Sequence, residues 1–116
     1  MGRLTTHVLD AVRGKPAAGV AISLHRCDGA PELICAIRTN ADGRCDAPLL
    51  EGAALLPGRY SLTFALAAYY RGVGTPLSDP PFLDEVVIHF GIADPAAHYH
   101  VPLLASPWSY STYRGS

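Results

Sequence analysis

Apolar and polar residues alternate at period two along most of this chain, in short blocks broken by Gly, Pro, Asn or Asp. VAISLHR (20–26) puts Val20, Ile22 and Leu24 on one side and Ala21, Ser23 and His25 on the other. RYSLTFAL (59–66) groups Tyr60, Leu62, Phe64 and Leu66, and VVIHFGI (86–92) groups Val86, Ile88, Phe90 and Ile92. Side chains alternate faces in a strand, so each block reads as a strand with one face buried. LTTHVLD (4–10), LICAIRT (33–39) and HYHVPLLAS (98–106) are further candidates. Pro102 lacks an N–H, so the last should carry an edge or a bulge there. The gaps RGKPAAG, CDGAP, NADGR and LPGR hold turn residues. Regularly spaced short strands of this kind predict an antiparallel sandwich. AAYYRGVG (67–74) breaks the period and reads as a short helix or turn, and PLSDPPF (76–82) is too proline-rich to be regular.

A chain of 116 residues is expected to make one domain over 1–116. Its net charge of −1 and lack of a basic patch make nucleic acid and anionic membrane poor partners, and neither is expected. The longest apolar run, LTFALAAYY (62–70), is too short to span a bilayer. Residues 1–10 lack the apolar core of a secretory signal, and the RGS ending is not the SKL peroxisomal address. An odd count of cysteines (Cys27, Cys35 and Cys45) with no CxxC pair points to buried thiols in a reducing, cytoplasmic setting. The final YSTYRGS follows the apolar PLLASPW, so this tail is expected to be anchored, with its polar groups delivered somewhere.

Chemistry has few carriers here. HYH (98–100) turns His98 and His100 to one face of a strand. They read as two ligands of a zinc site, as a proton-transfer residue and its neighbour, or as an ordinary surface pair. His7 shares its face with Thr5 and Leu9 and reads as structural or catalytic; His25 and His89 sit on the polar sides of amphipathic strands and are assigned to solvent or an interface. Arg44, after the NADG turn, and Arg114 are each either solvated or fixed donors for a planar, anionic, carbonyl-rich ligand. No nucleophile elbow, phosphate-cradling glycine loop or HExxH motif is present. Catalysis would then use water activated by imidazole.

LTTHVLD (4–10), GKPAAGVAISL (14–24), TNADGR (39–44), PPFLDEVVIHFGI (80–92), HYHVPLL (98–104) and YRGS (113–116) together resemble the 5-hydroxyisourate hydrolases, the transthyretin-like enzymes of urate breakdown. The resemblance implies a transthyretin-like sandwich of two four-stranded sheets with one short helix. It implies a homotetramer, a dimer of dimers, with sites in the channel between dimers. It also implies ring opening of 5-hydroxyisourate by water, giving 2-oxo-4-hydroxy-4-carboxy-5-ureidoimidazoline, without metal or organic cofactor. Carried over residue by residue, it makes His7, Arg44 and His100 catalytic, and adds Tyr113, Arg114, Gly115 and Ser116 as the terminal motif. His7 and Arg44 would also bind substrate, as would Tyr113, Arg114 and Ser116. Two other readings stay open at this point: a small-molecule carrier on the same fold, and a zinc protein using His7, His98 and His100.

Overall fold

A computed structural model describes all residues, Met1–Ser116. Nine strands and one α-helix follow in the order β1 (Arg3–Asp10), β2 (Lys15–Pro16), β3 (Ala21–Arg26), β4 (Glu32–Arg38), β5 (Leu50–Glu51), β6 (Gly58–Phe64), α1 (Leu66–Gly72), β7 (Val86–Ile92), β8 (His98–Ala105) and β9 (Tyr110–Ser111). They form two sheets. One runs β2-β1-β8-β9 with the two-residue β5 also on β1, and the other runs β4-β3-β6-β7. The expected sandwich is present, with α1 on the segment that broke the period. One pairing departs from the antiparallel expectation. β1 and β8 run parallel along their whole length, from Arg3 opposite His98 to Asp10 opposite Ala105. They lie near opposite ends of the chain, and the second sheet supplies the long connection that a parallel pair requires.

The period-two blocks bury the faces that their spacing implies. Leu4, Val8, Val20, Ile22, Leu24, Tyr60, Leu62, Phe64, Val86, Ile92, Val101 and Leu103 fill one core between the sheets. Each fully buried apolar side chain contributes about 1.5–3 kcal/mol. Leu66 differs from its expected place: it opens α1 and reaches the core from there. Phe90 packs on the core's margin, stacked on Tyr60 at 5.9 Å between centroids.

Asp10, on the inward face of β1, ties helix to sheet. Its Oδ2 accepts a hydrogen bond from Tyr69 at 2.7 Å, and its Oδ1 lies 3.1 Å from the Tyr70 hydroxyl and accepts from the Val12 and Arg13 amides. The carboxylate therefore closes the turn after β1 and holds α1, with the Tyr70 hydroxyl sharing its one proton with the Ala105 carbonyl 2.8 Å away, and these bonds offset the cost of burying it.

β2 and β5 occupy only the two ends of β1's outer edge. The middle of that edge receives the loop after β4 instead. His7 makes an antiparallel bridge with Arg44, and the Val8 amide donates to the Gly43 carbonyl at 2.8 Å. On the far side of β8, β9 pairs Tyr110 with Ala105 and Ser111 with Leu104. The tail then regains the same register at a bridge between Gly115 and His100, with both backbone hydrogen bonds made, at 2.7 and 3.1 Å. The break between them falls where Tyr113 comes opposite Pro102. Proline has no N–H to give, so the ladder skips that position. The tail is thus an interrupted edge strand, which is why YSTYRGS is anchored.

Candidate active site

Arg3, Thr5 and His7 alternate outward along β1, away from the buried Leu4, Thr6 and Val8. His98 and His100 do the same on β8, away from the buried Tyr99 and Val101. The parallel register sets Thr5 beside His100 and Arg3 beside His98. Two walls rise from this face, the 44–48 loop and the tail. Together they enclose a cleft of about 590 Å³ lined by His7, Arg44, His100, Tyr113, Ser116 and neighbours.

The first wall is built by its turn. Asn40 Oδ1 accepts from the Asp42 and Arg44 amides at 2.9 and 3.1 Å, and the Gly43 amide donates to the Asn40 carbonyl. Gly43 has φ +73°, and a side-chain carbon there would collide with the Val8 carbonyl oxygen. The N-x-D-G spacing therefore serves both the asparagine-capped turn and its close approach to β1. It delivers Arg44 beside His7. The Arg44 guanidinium has no ion pair: the single salt bridge of the chain joins Arg26 and Asp28 at 2.8 Å.

The second wall is the tail. Gly115 lies against His100, and a carbon substituent there would come within 3.0 Å of its Cβ and 3.2 Å of its Cδ2. No other residue fits that contact without displacing the imidazole.

The two rings face each other across the cleft with centroids 6.5 Å apart. Burial pushes the His7 pKa down and the positive Arg44 pushes it further; the Asp42 backbone and carboxylate oppose them. Burial also lowers that of His100, followed by Arg44 and His7. Both shifts favour the neutral imidazole, the form that accepts a proton. His7 Nε2 is buried and has no partner in the protein, a costly condition that a bound polar atom relieves. Water or a carbonyl compound between the rings would meet proton acceptors and, at Arg44, a fixed positive donor.

His7, Arg44, His100, Tyr113 and Ser116, singled out in the sequence, all line this one cleft. Arg114 stands apart. Its guanidinium lies over the Tyr99 ring, 4.5 Å from the centroid, at the open edge between the sheets. His98 reaches the rim and is exposed. His7, His98 and His100 do not meet the zinc reading, because no three His, Cys, Asp or Glu side chains in the structure converge as ligands. Thr5, Cys45 and Asp46 also line the cleft and were not singled out for it. The sharing of a face by Thr5 and His7 was the available signal for the first, and adjacency to Arg44 for the others. Burial, then the neighbouring Cys35 and Asp46, push the Cys45 thiol up to about 11. It is therefore no thiolate nucleophile at neutral pH.

Comparison with known proteins agrees with this fold. The chain is 60% identical over 117 residues to 5-hydroxyisourate hydrolase of Ralstonia nicotianae, covering 100% of both chains. The solved structure of Klebsiella pneumoniae 5-hydroxyisourate hydrolase is 38% identical with a TM-score of 0.83, again covering 100% of both. A solved (S)-allantoin synthase is 47% identical with a TM-score of 0.95 over 99% of this chain; the chain spans 44% of that longer protein. A family profile matches residues 4–115, a span that holds both walls of the cleft up to Gly115, and so the chain belongs to the HIUase/Transthyretin family.

Proposed function

We propose that this protein hydrolyses 5-hydroxyisourate to 2-oxo-4-hydroxy-4-carboxy-5-ureidoimidazoline in urate degradation. The observation that carries the reading is the meeting of two imidazoles and an unpaired guanidinium in one cleft, in a chain 60% identical to a named 5-hydroxyisourate hydrolase. The chemistry asks for those groups. A water held between His7 and His100 loses a proton to one ring as its oxygen bonds to the ring carbonyl carbon. Positioned general-base help of this kind contributes on the order of 10²–10⁴-fold. The carbonyl oxygen gains negative charge, which Arg44 stabilises. The carbon–nitrogen bond of the cyclic amide then breaks. The carbon keeps the new oxygen as a carboxylate, and the nitrogen leaves as the ureido group after taking a proton. No step calls on a metal or organic cofactor. Tyr113 and Ser116 orient the ring from the tail side. Arg114 belongs to substrate binding only by way of a tail contact or a neighbouring subunit.

The same reading includes a homotetramer built as a dimer of dimers, acting in the cytoplasm on a small-molecule substrate. Exposed Val12, Phe82, Trp108, Tyr110 and Tyr113 support the oligomer, since a monomer gains nothing by wetting them. No helix is long and apolar enough to cross a membrane. A carrier function is disfavoured because the outer face of β1 and β8 presents arginine, threonine and histidine rather than an apolar lining. The test generates 5-hydroxyisourate in place from urate with urate oxidase and follows its ultraviolet decay. Acceleration proportional to protein concentration and lost in His7→Ala supports the hydrolase. No acceleration by the folded protein rejects it.

A further inference from the structure

The geometry points to Thr5 as a positioning residue that fixes the His100 ring so that its Nε2 is the proton-accepting nitrogen. This deepens the hydrolase reading and rests on it. Thr5 Oγ1 lies 2.8 Å from His100 Nδ1, a contact between residues 95 apart in sequence. The parallel β1–β8 register holds it there by placing the two residues side by side. Gly115 packs against the opposite edge of the ring, along Cγ and Cδ2. With Nδ1 bonded and Cδ2 covered, the edge left for a ligand is Cε1–Nε2. Threonine suits this task because its branched side chain is stiff about χ1, so the hydroxyl stays aimed.

The hydrogen bond can run in either direction, and the base role selects which. A base needs a bare lone pair. If Nε2 is bare, Nδ1 carries the hydrogen and donates it to Thr5 Oγ1. When Nε2 takes a proton from water, that bond remains in place and becomes charge-assisted, hence stronger. The opposite arrangement, with Thr5 donating to Nδ1, leaves a hydrogen on Nε2 and no acceptor facing the water. His7 is held differently: the Asp42 backbone bonds to its ring, and its Nε2 is buried without a partner. Thr5 therefore acts on His100 alone, holding that ring as an acceptor.

The test is nitrogen NMR of the full-length protein with ¹⁵N-labelled histidine at pH 7.5, with kinetics of Thr5→Val and Thr5→Ser. The expected result is a His100 signal with hydrogen on Nδ1. In Thr5→Val that signal shifts toward the Nε2–H form, and kcat falls roughly tenfold, the size of one hydrogen bond to a charged group, while KM changes little. Thr5→Ser keeps the hydroxyl and restores most of the rate. In a His100→Ala background, Thr5→Val has no further effect. A wild-type His100 with hydrogen on Nε2 overturns the proposal. So does an unchanged kcat in Thr5→Val, or the same loss with His100 already gone. The NMR measurement needs no turnover. A bare Nε2 in a protein that does not accelerate the reaction would uphold the hold of Thr5 on the ring and reject the hydrolase reading instead.

Discussion

Each outer face of the sandwich carries histidines, and the two faces differ in what surrounds them. On the β1–β8 face, His7 and His100 stand opposite each other in a cleft. On the β3–β6–β7 face, the register lines up His25, Ser61 and His89 across three neighbouring strands. That second row resembles a catalytic arrangement in residue type alone. His89 is exposed there, and Cys27 Sγ approaches Ser61 Oγ at 3.5 Å. No turn like that of Asn40–Arg44 and no tail rises over the row. Imidazoles on a strand become chemically useful when other elements wall them in. Walls remove water, lower the proton affinity of the rings and bring a fixed charge to the place where charge develops.

The difference between the two faces should therefore disappear when the walls are removed. Removing residues 113–116 takes away the tail wall and the bridge to His100. Turnover should be abolished while circular dichroism still reports a sandwich; a truncated protein at full rate would remove the tail from the site. Next in size, His7→Ala and Arg44→Ala should each lower kcat/KM by about 10²–10⁴-fold. His25→Ala and His89→Ala should stay within about twofold, within the scatter expected of a change that touches no reacting group. Equal losses on both faces would end the distinction between them.

Proton affinity gives a smaller, continuous readout. Both cleft histidines fall below the ordinary value of 6.5 when the chain folds. As pH drops through 6.5, unfolded chains bind protons that the folded protein does not. The stability these groups contribute is fully present above 6.5 and is lost on going down through their folded values. Urea midpoints measured from pH 7.5 to 5 should fall over that window, and His7→Ala should flatten the slope. The kcat/KM profile should stay level through 6.5 and decline only below it. A decline centred at or above 6.5 would mean that the walls do not act on the rings as described. Smallest of all, Cys45→Ser should leave the rate within about twofold, because a thiol with its pKa pushed up to about 11 is not acting as a nucleophile. Rate measurement with a thiol-blocking reagent gives an independent check.

Much of the sandwich was legible from local spacing. Val20, Ile22 and Leu24, like Tyr60, Leu62 and Phe64, face inward because side chains in a strand alternate, a property that neighbours three residues away suffice to set. The helix at Leu66–Gly72 was legible as a break in that period. Leu66 itself was not, since the chain bends just before it. The sharing of a face by His98 and His100 was legible for the same reason as the core. So were the turn at Asn40–Arg44, through its Asn, Asp and Gly, and the exceptional character of Pro102.

Local sequence thus specifies the content of each strand and turn and, through its resemblance to a family, which residues to watch. The tertiary structure alone decided which of those residues meet. His7 comes near His100 only because strands from opposite ends of the chain run parallel. Arg44 joins them because β2 and β5 leave the middle of one edge open, and Arg114 leaves them because it stacks on Tyr99. Thr5 bonds to a ring 95 residues away through a register that no local pattern encodes. Period-two alternation sets the face a side chain takes; only the pairing of strands sets its neighbour across the sheet.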